Sequence, residues 1–370
     1  MVGLTRKERL MRIFQGKEVD RPAIKLWGAW PGQPMLHPAY EPVYRKAIEK
    51  TDLFWEVFMP FNVFTAETTT ETVAVDDEWE DIVTKIHTKE GDLTSVHRAS
   101  KKGAPGYDLE HFFKDESDIK KFLALPVEES THVDLGPYFR AQKALGDRGI
   151  VHINVNHAGF LFQQMCGSEN MAFFSVDCRD LVEETIDRFT KLRYNYFKRV
   201  LETGISPIMS WYGPEVFIPP LMSPADFEDF VFRCDKPLCD LIHEHGGYTW
   251  MHSHGKTAKF IQRYIDMGID VVNPLEPEPN GDVDLRTLAR EFEGKIGLEG
   301  NIEIQELINS SEERVRELLC DCVEFGAASG RFILCPSAGY MEYIQPGENY
   351  IRNLTTFVDY GFELVEKYRK

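Results

Sequence analysis

The spacing of apolar and polar residues marks a helix at the start of the chain. Thr5 followed by Glu8 forms a capping box, and Leu4, Leu10, Met11 and Phe14 make an apolar stripe ending near Gly16. Asp20-Arg21-Pro22 turns the chain into an apolar run, Ala23–Trp27, and a second run lies near Leu53–Met59. From Gly149 onward a regular order sets in. Short apolar runs at Ile150–Asn154, Pro207–Trp211, Tyr248–Met251, Val271–Asn273, Ile296–Leu298 and Phe332–Leu334 alternate with longer amphipathic stretches. Two of those stretches open with clear start signals, Ser223-Pro224-Ala225-Asp226 and Ser310-Ser311-Glu312-Glu313. Near-continuous apolar strands joined by helices predict a parallel sheet covered on both faces. The six repeating units and the two earlier runs make eight, the number that closes a (β/α)8 TIM barrel of the α/β class. An open doubly wound sheet is the alternative, but no Gly-rich dinucleotide loop follows the first run.

Residues 65–100 break this pattern. Thr and Val are frequent, and Glu90-Gly91 separates two alternating runs, which predicts antiparallel strands and a β-hairpin excursion. Lys101–Leu125 reads as loop and then helix. With no internal repeat, low-complexity tract or linker, a single domain over residues 1–370 is expected.

Composition narrows the function. A net charge of −18 opposes binding to phosphate backbones and anionic lipid, so neither nucleic acid nor membrane is expected as a partner. The start, MVGLTRKERL, has no apolar core of a signal peptide, and no uncharged apolar run could span a bilayer. Seven scattered cysteines suit reduced thiols, and a cytoplasmic location is expected. Cys320 and Cys322 point about 200° apart on a helix and read as packing residues. His243 and His245 fall at a helix end, where they offset terminal carbonyls.

In such a barrel, functional groups sit at the carboxyl ends of the strands. Reactive residues collect there: His252-Ser253-His254-Gly255-Lys256, then Asn273 to Pro279, Glu299-Gly300-Asn301, and Cys335-Pro336-Ser337-Ala338-Gly339-Tyr340. His252 and His254, two apart on an extended segment, share a face. With Cys335 they form a candidate zinc set with one position open. Hydrogen-bonded structural histidines are the competing reading of the same pattern. Glu276 and Glu299 are candidates for a last ligand or a general base, against salt bridges to Lys256 or Arg331. Glu215 joins them after the fourth run. Asn156 and Asn301 are candidate substrate contacts, against roles in turns. Trp27, Trp30, Trp211, Tyr212, Phe217 and Tyr340 fall at or beyond strand ends; any one could be core packing, but together they suit a planar apolar substrate.

These segments, with Asp20-Arg21-Pro22, Met222-Ser223-Pro224, His252 to Gly255, Met267-Gly268-Ile269-Asp270 and Glu348-Asn349, resemble the uroporphyrinogen decarboxylase superfamily. That superfamily includes decarboxylases and corrinoid or thiol methyltransferases. The resemblance spans most of the chain and implies the barrel. Its decarboxylases carry an arginine-rich segment after the first strand that grips substrate propionates. Here Leu26 to Pro34 contains no arginine. Its methyltransferases bind zinc through a His-x-Cys pair and a later Cys. His252 and Cys335 match the outer members, and His254 replaces the middle cysteine. An imidazole in place of a thiolate leaves the zinc more positive, a better Lewis acid toward oxygen. The resemblance therefore implies an O-demethylase component that moves methyl from a methoxylated, aromatic compound to a corrinoid (cobalamin). Since the chain lacks an Asp-x-His-x-x-Gly cobalt-ligand motif, a corrinoid-binding partner protein would supply that cofactor. A methylcorrinoid:thiol methyltransferase, a decarboxylase and a non-catalytic binding protein are the alternatives. The resemblance also allows a homodimer.

Overall fold

The computed structural model describes residues 3–102, 104–339 and 346–370. The capping box forms as expected, and the first helix runs Arg6–Phe14. Twelve strands follow in chain order. The first two, β1 (Ala23–Ile24) and β2 (Leu53–Phe58), precede four strands of the excursion: β3 (Thr68–Ala74), β4 (Trp79–Ile86), β5 (Leu93–Ser100) and β6 (Tyr107–Glu110). The last six are β7 (Gly149–Asn154), β8 (Ile208–Tyr212), β9 (Tyr248–Ser253), β10 (Val271–Pro274), β11 (Gly297–Ile302) and β12 (Phe332–Pro336). Eight of them form one parallel sheet in the order β1-β12-β11-β10-β9-β8-β7-β2, curled into a TIM-barrel-like fold with helices outside. Each expected barrel strand is present, and β1 is shorter than its apolar run.

The seam between β1 and β2 is closed by one aspartate rather than by a ladder. Asp52 N–H donates to Ile24 O at 2.7 Å, and Ile24 N–H donates to the Asp52 carboxylate at 2.9 Å. Arg9 holds that carboxylate at 2.7 Å and takes Asp20 in a two-point contact at 2.7 and 2.9 Å. Arg21 reaches Asp52 from the other side at 3.3 Å. The Asp20-Arg21-Pro22 signature thus belongs to a buried ionic plug at the amino end of the barrel. Arg331 extends it by donating to the carbonyls of Ile13, Phe14, Gly294 and Asp270. Burial opposes the Asp20 carboxylate, but Arg9 outweighs it and holds its pKa below the ordinary range.

Above the plug lies an apolar layer built from Ala23, Phe54, Ile150, Ile208, Val271 and Ile333 with Leu10, Ile13 and Phe14 of the first helix. The next inward positions are polar: Lys25, Glu56, His152, Ser210, Asn273 and Glu299. Barrel interiors are ordinarily filled by branched apolar side chains, so this layer marks where the fold gives up packing for chemistry. The outward faces of the strands pack under the helices in a second, larger apolar cluster.

The excursion is a second sheet, antiparallel, in the order β3-β4-β5-β6. The hairpin at Glu90-Gly91 joins β4 to β5, where the sequence places it. β6 lies in a stretch read as loop, because Tyr107 to Glu110 is too short and too polar for an alternating signal. The helix expected after it is Glu116–Leu123. At the helix end near His245, its Nδ1 pairs with the Leu241 carbonyl at 2.9 Å as expected, whereas His243 pairs with Asp270 at 2.9 Å. Cys322 is buried and Cys320 half-buried, in line with packing roles. Among the described residues no helix is long and apolar enough to cross a membrane.

Candidate functional site

β9 delivers both histidines to the mouth of the barrel. Their rings stand perpendicular with centroids 4.4 Å apart. His252 is flanked by aromatic rings: Trp250 stacked at 5.8 Å, Trp27 edge-on at 5.3 Å and Tyr212 tilted at 5.2 Å. Its Nδ1 meets Asn273 Oδ1 of the neighbouring strand β10 at 2.5 Å. Burial, reinforced by the nearby charges of His254 and Lys25, pushes its pKa down to about 3, so the ring is neutral. His254 Nδ1 meets Glu276 at 2.8 Å, and the Gly255 N–H donates to the other Glu276 oxygen at 2.8 Å. Burial opposes charge on His254, but Glu276, with Glu215 and Glu303 behind it, raises its pKa above the ordinary value. The same contacts hold Glu276 below its ordinary value against its own burial.

Glu215 follows β8 and lies beside His254 in a contrasting environment. Burial pushes its pKa up to about 7. Its Oε2 is buried with no hydrogen-bond partner among the described residues. Two carboxyl groups around one imidazole are thus driven in opposite directions, the arrangement by which sites separate an acid from a base. Glu299, the third acidic candidate, is fully buried below the mouth. Lys25 donates to its Oε1 at 2.7 Å, Asn273 Nδ2 to the same oxygen at 3.0 Å, and Trp250 Nε1 to its Oε2 at 2.8 Å. Both oxygens are engaged, so the structure gives Glu299 a scaffold position.

Cys335, on β12, is fully buried, and burial, with Glu299 adding to it, holds its thiol well above the ordinary range. Register sets it opposite Asn301, whose N–H meets Cys322 Sγ at 3.3 Å. The ring of Trp27 links the histidines to this strand, edge-on to His252 and donating from Nε1 to Pro336 O at 2.9 Å. Among the described residues no three His, Cys, Asp or Glu side chains are gathered to hold a metal ion. The donor chemistry fits zinc at the two imidazoles, each tied through Nδ1 to an oxygen, as metal-binding histidines are. Cys335 is instead hydrogen-bonded to Glu299. The expected three-residue cage is therefore not preassembled.

A cavity of about 460 Å³ opens at His252, lined with it by Trp27, Gly28, Gln33, Tyr44 and Tyr212 among others. Among the described residues none that lines it is an arginine or lysine. A second cavity, about 280 Å³, lies at the amino ends of the strands around Arg21 and Arg331 and holds none of the candidate residues.

The remaining sequence candidates divide by strand alternation. Tyr212 faces the barrel and Trp211 points away into the apolar layer under the helices, fully buried. Trp211 therefore does not line the cavity: neighbours on a strand face opposite ways. Trp30 stacks on Trp55 at 5.7 Å rather than over the histidines. Asn156 adopts a left-handed turn (φ 55°), its N–H bonded to Asn154 Oδ1 and its carbonyl held by Arg193. That arrangement matches the turn reading. Phe217 is buried against His157 and Phe230. Tyr340 lies outside the described residues. Lys25 and Glu56 were missed by sequence reasoning. Glu56 accepts from Asn154 Nδ2 at 3.0 Å and is bonded to Tyr212. Their signal was a lone charge inside an otherwise apolar run, at an inward position two residues from Ala23 or Phe54.

No curated protein sequence matches the chain significantly. Among solved structures, a methyltransferase from Methanosarcina mazei superimposes with a TM-score of 0.60 at 14% identity, covering 97% of this chain and 98% of that one. At that identity the likeness speaks for the fold. A GH5-4 broad specificity endoglucanase from Clostridium acetobutylicum reaches a TM-score of only 0.36 at 10% identity, over 70% of this chain and 81% of its own, and carries no argument. The family model described as uroporphyrinogen decarboxylase (URO-D) matches residues 157–360, more than half of the chain and the stretch that carries both histidines, Glu215, Glu276 and Cys335. The chain belongs to the uroporphyrinogen decarboxylase (URO-D) family.

Proposed function

We propose that this protein is a zinc-dependent methyltransferase that moves a methyl group from a methoxylated aromatic compound to a corrinoid carried by a separate protein. The observation that carries the reading is the pair His252 and His254, each tethered through Nδ1 to an oxygen, with His252 lining a largely apolar cavity. Both would bind zinc through Nε2, with Cys335 drawn in as the third ligand once deprotonated. When bound, the metal supplies Lewis acidity toward the ether oxygen. Trp27, Tyr44 and Tyr212 would hold the aromatic ring against the pair. The oxygen that loses its methyl group leaves as an anion and gains a proton. Glu215 would hold that proton, a role supported by its buried oxygen without a partner among the described residues.

The Methanosarcina mazei neighbour is itself a methyltransferase, in agreement with this reading. The cavity lining speaks against the decarboxylase alternative, since a polycarboxylate tetrapyrrole would meet no arginine or lysine among the described residues there. The test is bound metal by mass spectrometry on protein purified without chelators, beside His252→Ala, His254→Ala and Cys335→Ala. About one zinc per chain, lost in all three variants, is expected. Methyl transfer from methoxylated aromatics to reduced cobalamin would then be followed by absorbance. Wild-type protein that takes up no zinc when it is supplied would remove the proposal.

A further inference from the structure

The hydrogen bonds beneath His252 run in one direction only, and that direction decides which ring nitrogen faces the cavity. Glu299, ion-paired with Lys25 at 2.7 Å, presents only acceptors. The Asn273 group 3.0 Å from it must therefore be the NH2, which leaves Oδ1 as the atom turned to His252 Nδ1 at 2.5 Å. An acceptor at that distance requires Nδ1–H. A neutral imidazole carries one N–H, so Nε2 keeps its lone pair. We infer that Lys25, Glu299 and Asn273 form a buried positioning relay that fixes His252 as the Nδ1–H tautomer and presents its Nε2 lone pair to the cavity.

The relay is locked from every side. Trp250 Nε1 donates to the second Glu299 oxygen at 2.8 Å, so the carboxylate cannot turn. The Lys25 ammonium lies over Trp27, Phe54 and Trp250 at 3.9, 4.4 and 4.7 Å from their ring centres, a setting that favours its charge in the absence of water. Lys25, Asn273 and Glu299 are all buried. At His254 the carboxylate of Glu276 meets Nδ1 directly. His252 has an amide in between, and an amide offers either a donor or an acceptor. The charge pair below is what selects the acceptor. A buried ion pair that only filled the barrel would contribute to stability and leave the tautomer unselected.

The relay rests on hydrogen-bond geometry for its existence, and on the proposed zinc role of His252 only for its purpose. The experiment uses the full chain, stripped of metal, with ¹⁵N-labelled histidine; two-bond proton–nitrogen correlations are assigned by comparison with His252→Ala. A protonated Nδ1 and bare Nε2 are expected for His252 in the wild type. In Asn273→Ala and Glu299→Gln that preference is lost, and zinc affinity in chelator competition falls about 10–100-fold. Lys25→Met alone strands a carboxylate, so the paired variant Lys25→Met/Glu299→Gln removes both charges and keeps the test independent of folding. Variants that melt earlier but keep the tautomer would overturn the relay, as would a wild-type His252 protonated on Nε2. A wild type with the Nδ1–H tautomer that binds no zinc would keep the relay and remove the metal reading.

Discussion

The two ends of the barrel bury comparable polar chemistry and use it in opposite ways. At the amino end, Arg9, Asp20 and Asp52 close on one another, and Arg331 spends its donors on four backbone carbonyls. At the carboxyl end, the histidines are tied at one nitrogen each, Glu215 has an oxygen without a partner among the described residues, and Cys335 is a buried thiol. A saturated buried network has nothing left to offer a ligand, and removing one member exposes the rest. A half-saturated network is costly to maintain, and its open valences are where a ligand gains most. The contrast favours the carboxyl end as the functional one without reference to any relative.

It can be broken by substitution. Asp52→Ala strands Arg9 and loosens the seam between β1 and β2, and should cost about 3–5 kcal/mol in chemical denaturation. A loss below 1 kcal/mol would show that the plug is not structural. Gly300→Ala sets a Cβ 2.0 Å from the Pro274 carbonyl oxygen of β10, and the two strands must separate. A cost of about 1–3 kcal/mol is expected in the same measurement. His252→Ala, which leaves a buried acceptor without its donor, should cost about 1–3 kcal/mol. His254→Ala, at a half-exposed ring, should change stability by no more than about 1 kcal/mol, and both should abolish zinc uptake. An effect of plug size from either would erase the contrast between the ends. Arg369→Ala removes a half-exposed partner of Asp20 at 2.9 Å and should cost less than about 1 kcal/mol, because solvent screens it.

Acid separates the ends without mutation. The folded pKa of Asp20 lies below its unfolded value of about 3.9. Its contribution is therefore fully present above the unfolded value and is lost as pH falls through the folded one. Unfolding midpoints should fall with a steepening slope below about pH 4, and Asp20→Asn should flatten that slope. An unchanged slope would remove Asp20 from the plug.

Much of this was legible beforehand because it depends on periodicity. The eight runs mark the barrel strands since parallel strands under helices are apolar along their length, and the chemistry-bearing segments follow them as the fold requires. Alternation also separates Tyr212 from Trp211, a distinction available once β8 has a register. What was hidden depends on contacts across the barrel. Lys25 and Glu299 are 274 positions apart in the chain, and no local pattern joins them. The partner of His252 lies on the next strand, and which end of its amide faces the ring is decided one strand further on.

The seam has a further consequence for a chain made from one end to the other. β1 has its ladder with β12, whose first residue, Phe332, follows Ala23 by roughly 300 positions. At about 5–20 residues per second, β1 waits on the order of 15–60 s on the ribosome before that neighbour exists. During that interval it is tied to β2 by the pair of hydrogen bonds with Asp52, already available from a helix and two strands at the leading end. The ionic plug is thus also an early brace, guarding an open edge until the last strand arrives.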